Sequence, residues 1–465
     1  MMKTLLLVLS MIAAGQPAHA AEKPNVVMVF IDDMGWSDLS CFGNTEAATP
    51  HIDRMAKEGL SFNQFYVNSP ICSPSRVALS TGQYPQRWKI TSYLAERVNN
   101  EKRGMAQWLD PKAPMLAKML KSNGYATGHF GKWHMGGQRD VGEAPLITEY
   151  GFDESLTNFE GLGPRLLGLC YGPGGKLVAR HGLGSQNLGH GPIHWHDRSV
   201  LTEGYTTAAL DFVKKAAAKK QPFYLNLWPD DVHSPFFPPQ DKRRKGGKRR
   251  HYLSVLEAMD AQLGVLFDHI RSDEKLRKNT IVLICSDNGP EPKAGSAKPL
   301  RGVKGGLYEG GIRSPLIVWA PGLLNIDAAG TRNQKSVLAA IDLTPSLLAI
   351  TKTEAPANYQ PDGVDLSSTI MGKEQGLRKK AIFWRRPPDR KMDLATKKPL
   401  SDLAMREGRW KLLCDYEGGR PQLYDIEKDP EESDNLATKK PDLVIRLSKA
   451  AVAWSESMPG DAGTD

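Results

Sequence analysis

Cys72 and Arg76 stand four residues apart in a stretch that opens Ser69-Pro70-Ile71 and runs on through Ser73-Pro74-Ser75. Pro70 and Pro74 mark a loop that enters a helix, whose first turn tolerates a missing N–H. Cys72 then falls at the helix N-terminus, where free backbone N–H groups favour negative charge. Arg76 shares its helical face. A nucleophile beside a fixed cation suits an anionic ester, although a lone cysteine by itself reads as a small buried thiol. Two further pairs, Asp32-Asp33 and Asp287-Asn288, each follow a short apolar run. Where a chain leaves a strand, two successive side chains can converge. Either pair alone reads as a turn or helix cap. Together they offer three carboxylates and an amide oxygen, a hard donor set suited to Ca²⁺ and less well to Mg²⁺.

The string Cys72-Ser73-Pro74-Ser75-Arg76, followed by Leu79-Ser80-Thr81-Gly82, resembles the signature of the type I sulfatases. Gly131-Lys132-Trp133-His134-Met135-Gly136 resembles that family's second motif, and His233 in Asp231-Val232-His233-Ser234-Pro235 matches its third. Lys304, ahead of Tyr308-Glu309-Gly310-Gly311, matches the last. The resemblance runs from about Asn25 to the end, including Leu423-Tyr424-Asp425 and Asp429-Pro430-Glu431. It implies that Cys72 is oxidised to formylglycine by a formylglycine-generating or anaerobic sulfatase-maturating enzyme that reads the unfolded motif. One hydroxyl of the hydrated aldehyde would attack sulfur and expel the alcohol. The second would collapse to the aldehyde and release sulfate, an exit that a serine or thiol lacks.

Carried over residue by residue, the resemblance places Asp32, Asp33, Asp287, Asn288 and the modified Cys72 around one Ca²⁺. It places Arg76 and Lys132 around the hydrate and its neighbours. His134 would take the proton when the hydrate collapses, and His233 and Lys304 would bind sulfate and protonate the leaving oxygen. Lys132 and His134, two apart, point to one side of an extended segment. Against the three carboxylates and one divalent ion, the cations Arg76, Lys132 and Lys304 leave the pocket positive. That suits a sulfate monoester.

Behind these residues the sequence supplies an alternation of elements. Val26 to Ile31 is a continuous apolar run, as in a strand buried on both faces of a parallel sheet. A helix follows around Ile52, Met55, Ala56 and Leu60, and then the Cys72 helix. Further pairs of helix and strand follow, with strands at Tyr125–Phe130, Phe223–Leu227 and Thr280–Cys285 and the strongest helix at Tyr252–Ile270. This alternation predicts an α/β fold, a mostly parallel sheet flanked by helices, and the resemblance makes it alkaline-phosphatase-like. Polar residues at strand ends fit ligand binding at the carboxyl edge of an open sheet. After about residue 355 the texture shifts to short runs with turns and a closing helix from Leu443 to Trp454. The expectation is a catalytic domain over 21–360 and a C-terminal subdomain over 361–465, with an antiparallel sheet plus a helix.

The chain has 465 residues, ample for a sizeable core. Lys3, the apolar run Leu5 to Ala14 and Ala18-His19-Ala20 read as a signal peptide over 1–20, so the protein is expected to be exported, periplasmic or secreted. No later run reads as a stable membrane anchor. The formal charge of +9 fits a polyanionic partner, and no nucleic-acid-binding motif is present. Cys41, Cys170, Cys285 and Cys414 could pair in three ways or not at all.

Glu154 to Asp197 reads as a long irregular segment of the kind that sets specificity, with His194, Trp195 and His196 as candidate sugar contacts and Asp230-Asp231 facing hydroxyls. Lys242 to Arg250 holds seven basic residues in nine, a solvated loop or a grip on a sulfated polymer. The organisation most resembles the N-acetylgalactosamine-6-sulfatase and arylsulfatase A branch, which implies a sulfated carbohydrate of galactosamine or galactose type. The alternatives are a phosphonate monoester or phosphodiester hydrolase of the same superfamily, expected to carry Asp-His where this chain has Asp287-Asn288, and a non-catalytic sulfated-glycan-binding protein.

Overall fold

Alternate side chains of one strand feed two separate cores. In β1 (Asn25–Ile31), Val26, Met28 and Phe30 face one helical layer, while Val27, Val29 and Ile31 face the other. The computed structural model describes residues 23–172, 175–179, 182–394 and 396–463, so the leader read over 1–20 lies outside the described residues. The strands after β1 are β2 (Leu60–Tyr66), β3 (Ala126–Gly131), β4 (Glu154–Thr157), β5 (Arg165–Tyr171), β6 (Leu177–Ala179) and β7 (Ile193–Asp197). Next come β8 (Phe223–Trp228), β9 (Thr280–Ser286), β10 (Arg313–Trp319) and β11 (Thr331–Ala339).

These strands form one sheet in the order β11-β2-β10-β9-β1-β8-β3-β4-β5-β6, with β7 also paired to β5. Most neighbours are parallel, and β10 and β6 run against the rest. Pro315 cannot donate to the ladder, and the β10–β2 register shifts between Ser314 and Leu316 around it. Helices Cys72–Thr81, Leu116–Ser122 and Ala340–Ile350 cover one face. Helices Pro50–Glu58, Leu201–Ala218 and Lys248–Ser272 cover the other. The expected α/β sandwich is therefore present.

Two expectations are corrected. Leu60 does not continue the preceding helix: that helix ends at Glu58, Gly59 is extended, and Leu60 opens β2. Glu154 to Asp197 is not simply an irregular loop, because β4 to β7 extend the sheet beyond β3. β4 pairs with β3 and β7 with β5 across stretches longer than a local pattern spans, so the sequence does not reveal that these strands join the sheet.

The C-terminal part forms its own antiparallel sheet, β12 (Ile382–Arg385), β13 (Leu403–Glu407), β14 (Trp410–Cys414) and β15 (Gln422–Asp425). Helix Pro441–Glu456 packs on one face through Val444, Leu447 and Ala451. The other face brings Ile382, Trp384, Ala404 and Leu413 against Tyr66, Ile312 and Ile341 of the large body. Ile370 and Met371 still belong to the large core. No disulfide is present among the described residues, and no helix among them is long and apolar enough to cross a membrane.

Candidate active site

Three strand ends and one helix start meet at the carboxyl edge of the sheet. Adjacent β1 and β9 end in register, Ile31 against Ser286, so Asp32-Asp33 and Asp287-Asn288 emerge side by side. Asp33 has φ of +58°, a left-handed conformation that costs a non-glycine residue energy and lets both aspartates turn inward. The Asp33 N–H donates to Asp287 Oδ1 at 3.1 Å, and Asn288 Nδ2 donates to Asp33 Oδ1 at 2.8 Å. The turn after Asn288 requires glycine: a Cβ on Gly289 would lie 2.0 Å from the Gly310 carbonyl oxygen.

Cys72 is the first residue of its helix, buried, and lines the cavity above these carboxylates. Arg76 lies one turn deeper and is wholly enclosed. Its Nη2 donates to Asp287 Oδ2 at 2.7 Å and lies 3.6 Å from Asp32 Oδ1, while Nη1 donates to the Lys132 carbonyl at 3.0 Å. Phe30 and Trp228 pack against the guanidinium. Lys132 donates to Asp32 Oδ2 at 2.6 Å, and Lys304 donates to Asp33 Oδ2 at 2.7 Å. His233 Nε2 lies 3.6 Å from the same Asp33 oxygen. The structure thus brings all ten residues of the expected constellation together.

Burial alone would raise the Asp32 carboxyl, but Lys132, His233, Arg76 and Lys304 outweigh it and hold Asp32 well below the usual range. Asp287 moves the other way, raised by burial and by the negative Asp32. Burial also pushes the Cys72 thiol up, so the unmodified side chain is neutral at neutral pH. Asp32, Asp33 and His233 offer ligand atoms within 4.8 Å of one another. Asp32 Oδ1 and Asn288 Oδ1 are buried with no hydrogen-bond donor among the described residues. Buried oxygens without donors, on hard ligands, fit a bound divalent cation of the Ca²⁺ or Mg²⁺ type.

Glu160 was not singled out in the sequence. It is buried in the cavity wall, with Oε2 3.1 Å from Lys132 Nζ and 3.0 Å from His134 Nδ1. His134 reaches it through a left-handed backbone (φ of +55°), not through an extended segment, and its Nε2 meets the Leu94 carbonyl at 2.8 Å. Burial and Lys132 hold the His134 imidazole well below its ordinary value, whereas burial raises Glu160. No spacing rule links Glu160 to Lys132; the β3–β4 pairing, with the His134 N–H donating to the Glu160 carbonyl at 2.8 Å, brings them together.

The expected sugar contacts are only partly placed at the cavity. Asp230 lines it, held by Asn158 Nδ2 at 3.0 Å and Arg198 at 3.3 Å. Asp231 is instead turned into the protein, where it accepts from the Thr202 hydroxyl. His194, Trp195 and His196 belong to β7 and are not among the cavity-lining residues. Successive strand residues alternate sides, and pairing with β5 fixes these three to the sheet. The basic run from Lys242 is exposed, with Arg244, Lys248 and Arg249 paired to Glu257, Glu291 and Asp38.

A buried cluster of carboxylates crossed by lysines and arginine, on an alkaline-phosphatase-like α/β sheet, defines a hydrolase of anionic esters. A family model described as Sulfatase matches residues 24–353, and one described as N-sulphoglucosamine sulphohydrolase, C-terminal, matches residues 304–450. The chain belongs to the sulfatase family and is a sulfuric ester hydrolase. It is 31% identical to arylsulfatase A of Homo sapiens over 453 residues, 90% of this chain and 84% of that one. It is 28% identical to N-acetylgalactosamine-6-O-sulfatase of Bacteroides thetaiotaomicron over 503 residues, 92% of each chain. Among solved structures it resembles Ps i-CgsB in complex with k-i-k-neocarrahexaose, with a TM-score of 0.75 and 27% identity over 93% of this chain and 92% of that one.

Proposed function

We propose that the protein removes sulfate from a sulfated carbohydrate of galactosamine or galactose type, using formylglycine formed from Cys72 and one Ca²⁺. The observation that carries this reading is the convergence of Cys72, Lys132, His134, His233 and Lys304 on one cavity, directly above buried carboxylates. The names of the relatives, among them an N-acetylgalactosamine-6-O-sulfatase, support the substrate class.

Asp32, Asp33, Asp287, Asn288 and the modified Cys72 would hold the cation, which supplies positive charge that orients and activates the nucleophile. Formylglycine supplies a hydrated aldehyde, with one hydroxyl to attack sulfur and another through which sulfate is released. The other side chains bind and move protons. Lys304 and His233, both at Asp33 and open to the cavity, bind the sulfate oxygens and give the leaving oxygen its proton. His134, kept basic-side neutral by burial and Lys132, takes the proton that restores the aldehyde. Arg76 and Lys132 hold the carboxylates in register and stabilise charge developing near Cys72. Export to the periplasm or medium, guided by residues 1–20, is part of the same proposal, as is maturation by a formylglycine-generating or anaerobic sulfatase-maturating enzyme.

The test is sulfate release from a panel of defined sulfated galactose and galactosamine sugars, on material whose Cys72 peptide mass shows conversion. Release from one sugar and not its positional isomers supports the reading. No release, with turnover of a phosphonate or phosphodiester control, overturns it, and an unmodified Cys72 in active material overturns the formylglycine. Asn288→Ala should weaken metal binding, so that activity requires more calcium; an unchanged calcium dependence counts against the ligand set. Amino-terminal sequencing of the exported protein should begin near Ala21.

A further inference from the structure

The cavity is larger than a sulfate ester needs. Its volume of about 490 Å³ is in the range that encloses a drug-sized ligand, so the sugar itself meets the walls. The cations on those walls are mostly matched. Lys132 faces Asp32 and Glu160, Lys304 faces Asp33, Arg198 faces Asp230, and Arg139 faces Glu96.

Arg390 differs. It arrives from the segment between β12 and β13, so the C-terminal sheet delivers it to the cavity wall. Its nearest carboxylate, Asp389, lies 3.6 Å from Nη1, beyond hydrogen-bond range. That carboxylate is already held by Arg103 at 3.1 Å and by the Ser92 hydroxyl at 2.6 Å. Arg390 Nε is buried with no acceptor among the described residues, while the side chain as a whole keeps 25% of its surface exposed.

The side chain nonetheless has two neighbours at the cavity wall. The guanidinium lies 5.3 Å from the centre of the Tyr93 ring, and Tyr93 also lines the cavity. The Arg390 stem crosses Gly305, where a Cβ would stand 3.4 Å from Cδ. Gly305 directly follows Lys304, so Arg390 stands beside the residue that faces the scissile group. A guanidinium with unused donors suits an oxyanion brought by the ligand, because its planar fork matches carboxylate and sulfate oxygens.

We propose that Arg390, seated on Tyr93, forms a subsite for a second anionic substituent of the glycan, separate from the sulfate ester being cleaved. This deepens the sulfated-carbohydrate reading and rests on it. A second sulfate and a neighbouring uronate carboxylate present the same chemistry to this side chain. A role limited to tethering the C-terminal segment onto Tyr93 would alter all substrates alike, and that difference makes the subsite testable.

The experiment measures sulfate release from three probes by the wild type, Arg390→Ala and Arg390→Lys. The probes are N-acetylgalactosamine 6-sulfate, its 4,6-disulfated counterpart, and the 6-sulfated sugar linked to a uronate. The readout is the ratio of kcat/KM for each dianionic probe to that for the singly charged probe, so a loss of folded enzyme cancels. The wild type should favour at least one dianionic probe, and Arg390→Ala should lower that ratio about 10-fold or more, through KM. Arg390→Lys should fall between them. Collapse for the disulfated probe alone identifies sulfate as the partner, and collapse for the uronate alone identifies carboxylate. A ratio in Arg390→Ala within about twofold of the wild-type ratio overturns the subsite and leaves the sulfatase reading intact. Absence of release from all three probes by wild type removes the galactosamine reading and the subsite with it.

Discussion

Replacing Lys411 by Met should separate the C-terminal sheet from the catalytic body in a pH-dependent way. Lys411, on β14, is fully enclosed, with Nζ 3.0 Å from Glu309 Oε1 and 2.8 Å from Glu432 Oε1. Glu309 follows Tyr308 in the Lys304 stretch, and also receives the Tyr66 hydroxyl at 2.6 Å and Arg313 at 3.2 Å. It therefore keeps partners after the substitution. Among the described residues Glu432 keeps only the Glu309 backbone N–H, which donates at 2.7 Å, and so bears most of the loss. Removing one partner of a buried ion pair costs about 3–5 kcal/mol.

Burial and the neighbouring Glu309 already raise the Glu432 carboxyl despite Lys411, and losing Lys411 raises it further. A carboxyl raised in the folded state contributes stability that is complete below its unfolded value and is lost as pH rises through its folded value. The Lys411→Met penalty should therefore grow with pH. We expect about 3–5 kcal/mol at pH 8 and about 1–2 kcal/mol less at pH 5, where Glu432 is protonated. Urea unfolding followed by tryptophan fluorescence reads this, since Trp410 adjoins the substitution. Adding Glu432→Gln should recover part of the loss, and the double-mutant cycle isolates the pair. A penalty below about 1 kcal/mol at pH 8, or one that does not change with pH, would refute the reasoning.

Glu160→Gln should lower kcat roughly 10-fold to 100-fold with little change in KM, because Glu160 pairs with both His134 and Lys132; an unchanged kcat would remove that role. Asp260 caps the Pro50–Glu58 helix by accepting the His51 and Ile52 N–H groups, and burial raises it from 3.8 to about 6. Its contribution is complete below pH 4 and fades through pH 6, so Asp260→Asn should gain about 3 kcal/mol on the wild type between pH 4 and pH 7 in unfolding titrations. A constant difference would contradict the buried-carboxyl assignment. Gly289→Ala should lose both stability and cation affinity in thermal and calcium titrations, because its Cβ would collide with the Gly310 carbonyl; a variant as stable as wild type would show that the turn can give way.

Local features carried far in the sequence. The i,i+4 spacing put Cys72 and Arg76 on one helix face, and the apolar runs of β1 and β9 ended at their aspartates. Both follow from backbone periodicity, which a short window contains. The parallel sheet also followed, because buried strands alternating with amphipathic helices leave few other packings. The resemblance supplied the identity of the nucleophile and its partners.

What lay outside that reach depends on contacts between distant residues. Glu160 meets Lys132 because β3 and β4 pair and the His134 N–H donates to the Glu160 carbonyl, and Arg390 lies over Gly305 because the C-terminal sheet docks on Tyr66 and Ile312. Asp230 and Asp231 are adjacent and chemically identical, yet one lines the cavity and the other bonds Thr202. His194, Trp195 and His196 form an inviting cluster in sequence, yet β5 holds their strand away from the cavity lining. Sequence by itself determined which groups could do the chemistry, since residue type and short spacing are local properties. Tertiary structure alone decided which other side chains join them, because strand register and domain docking set which way each one points.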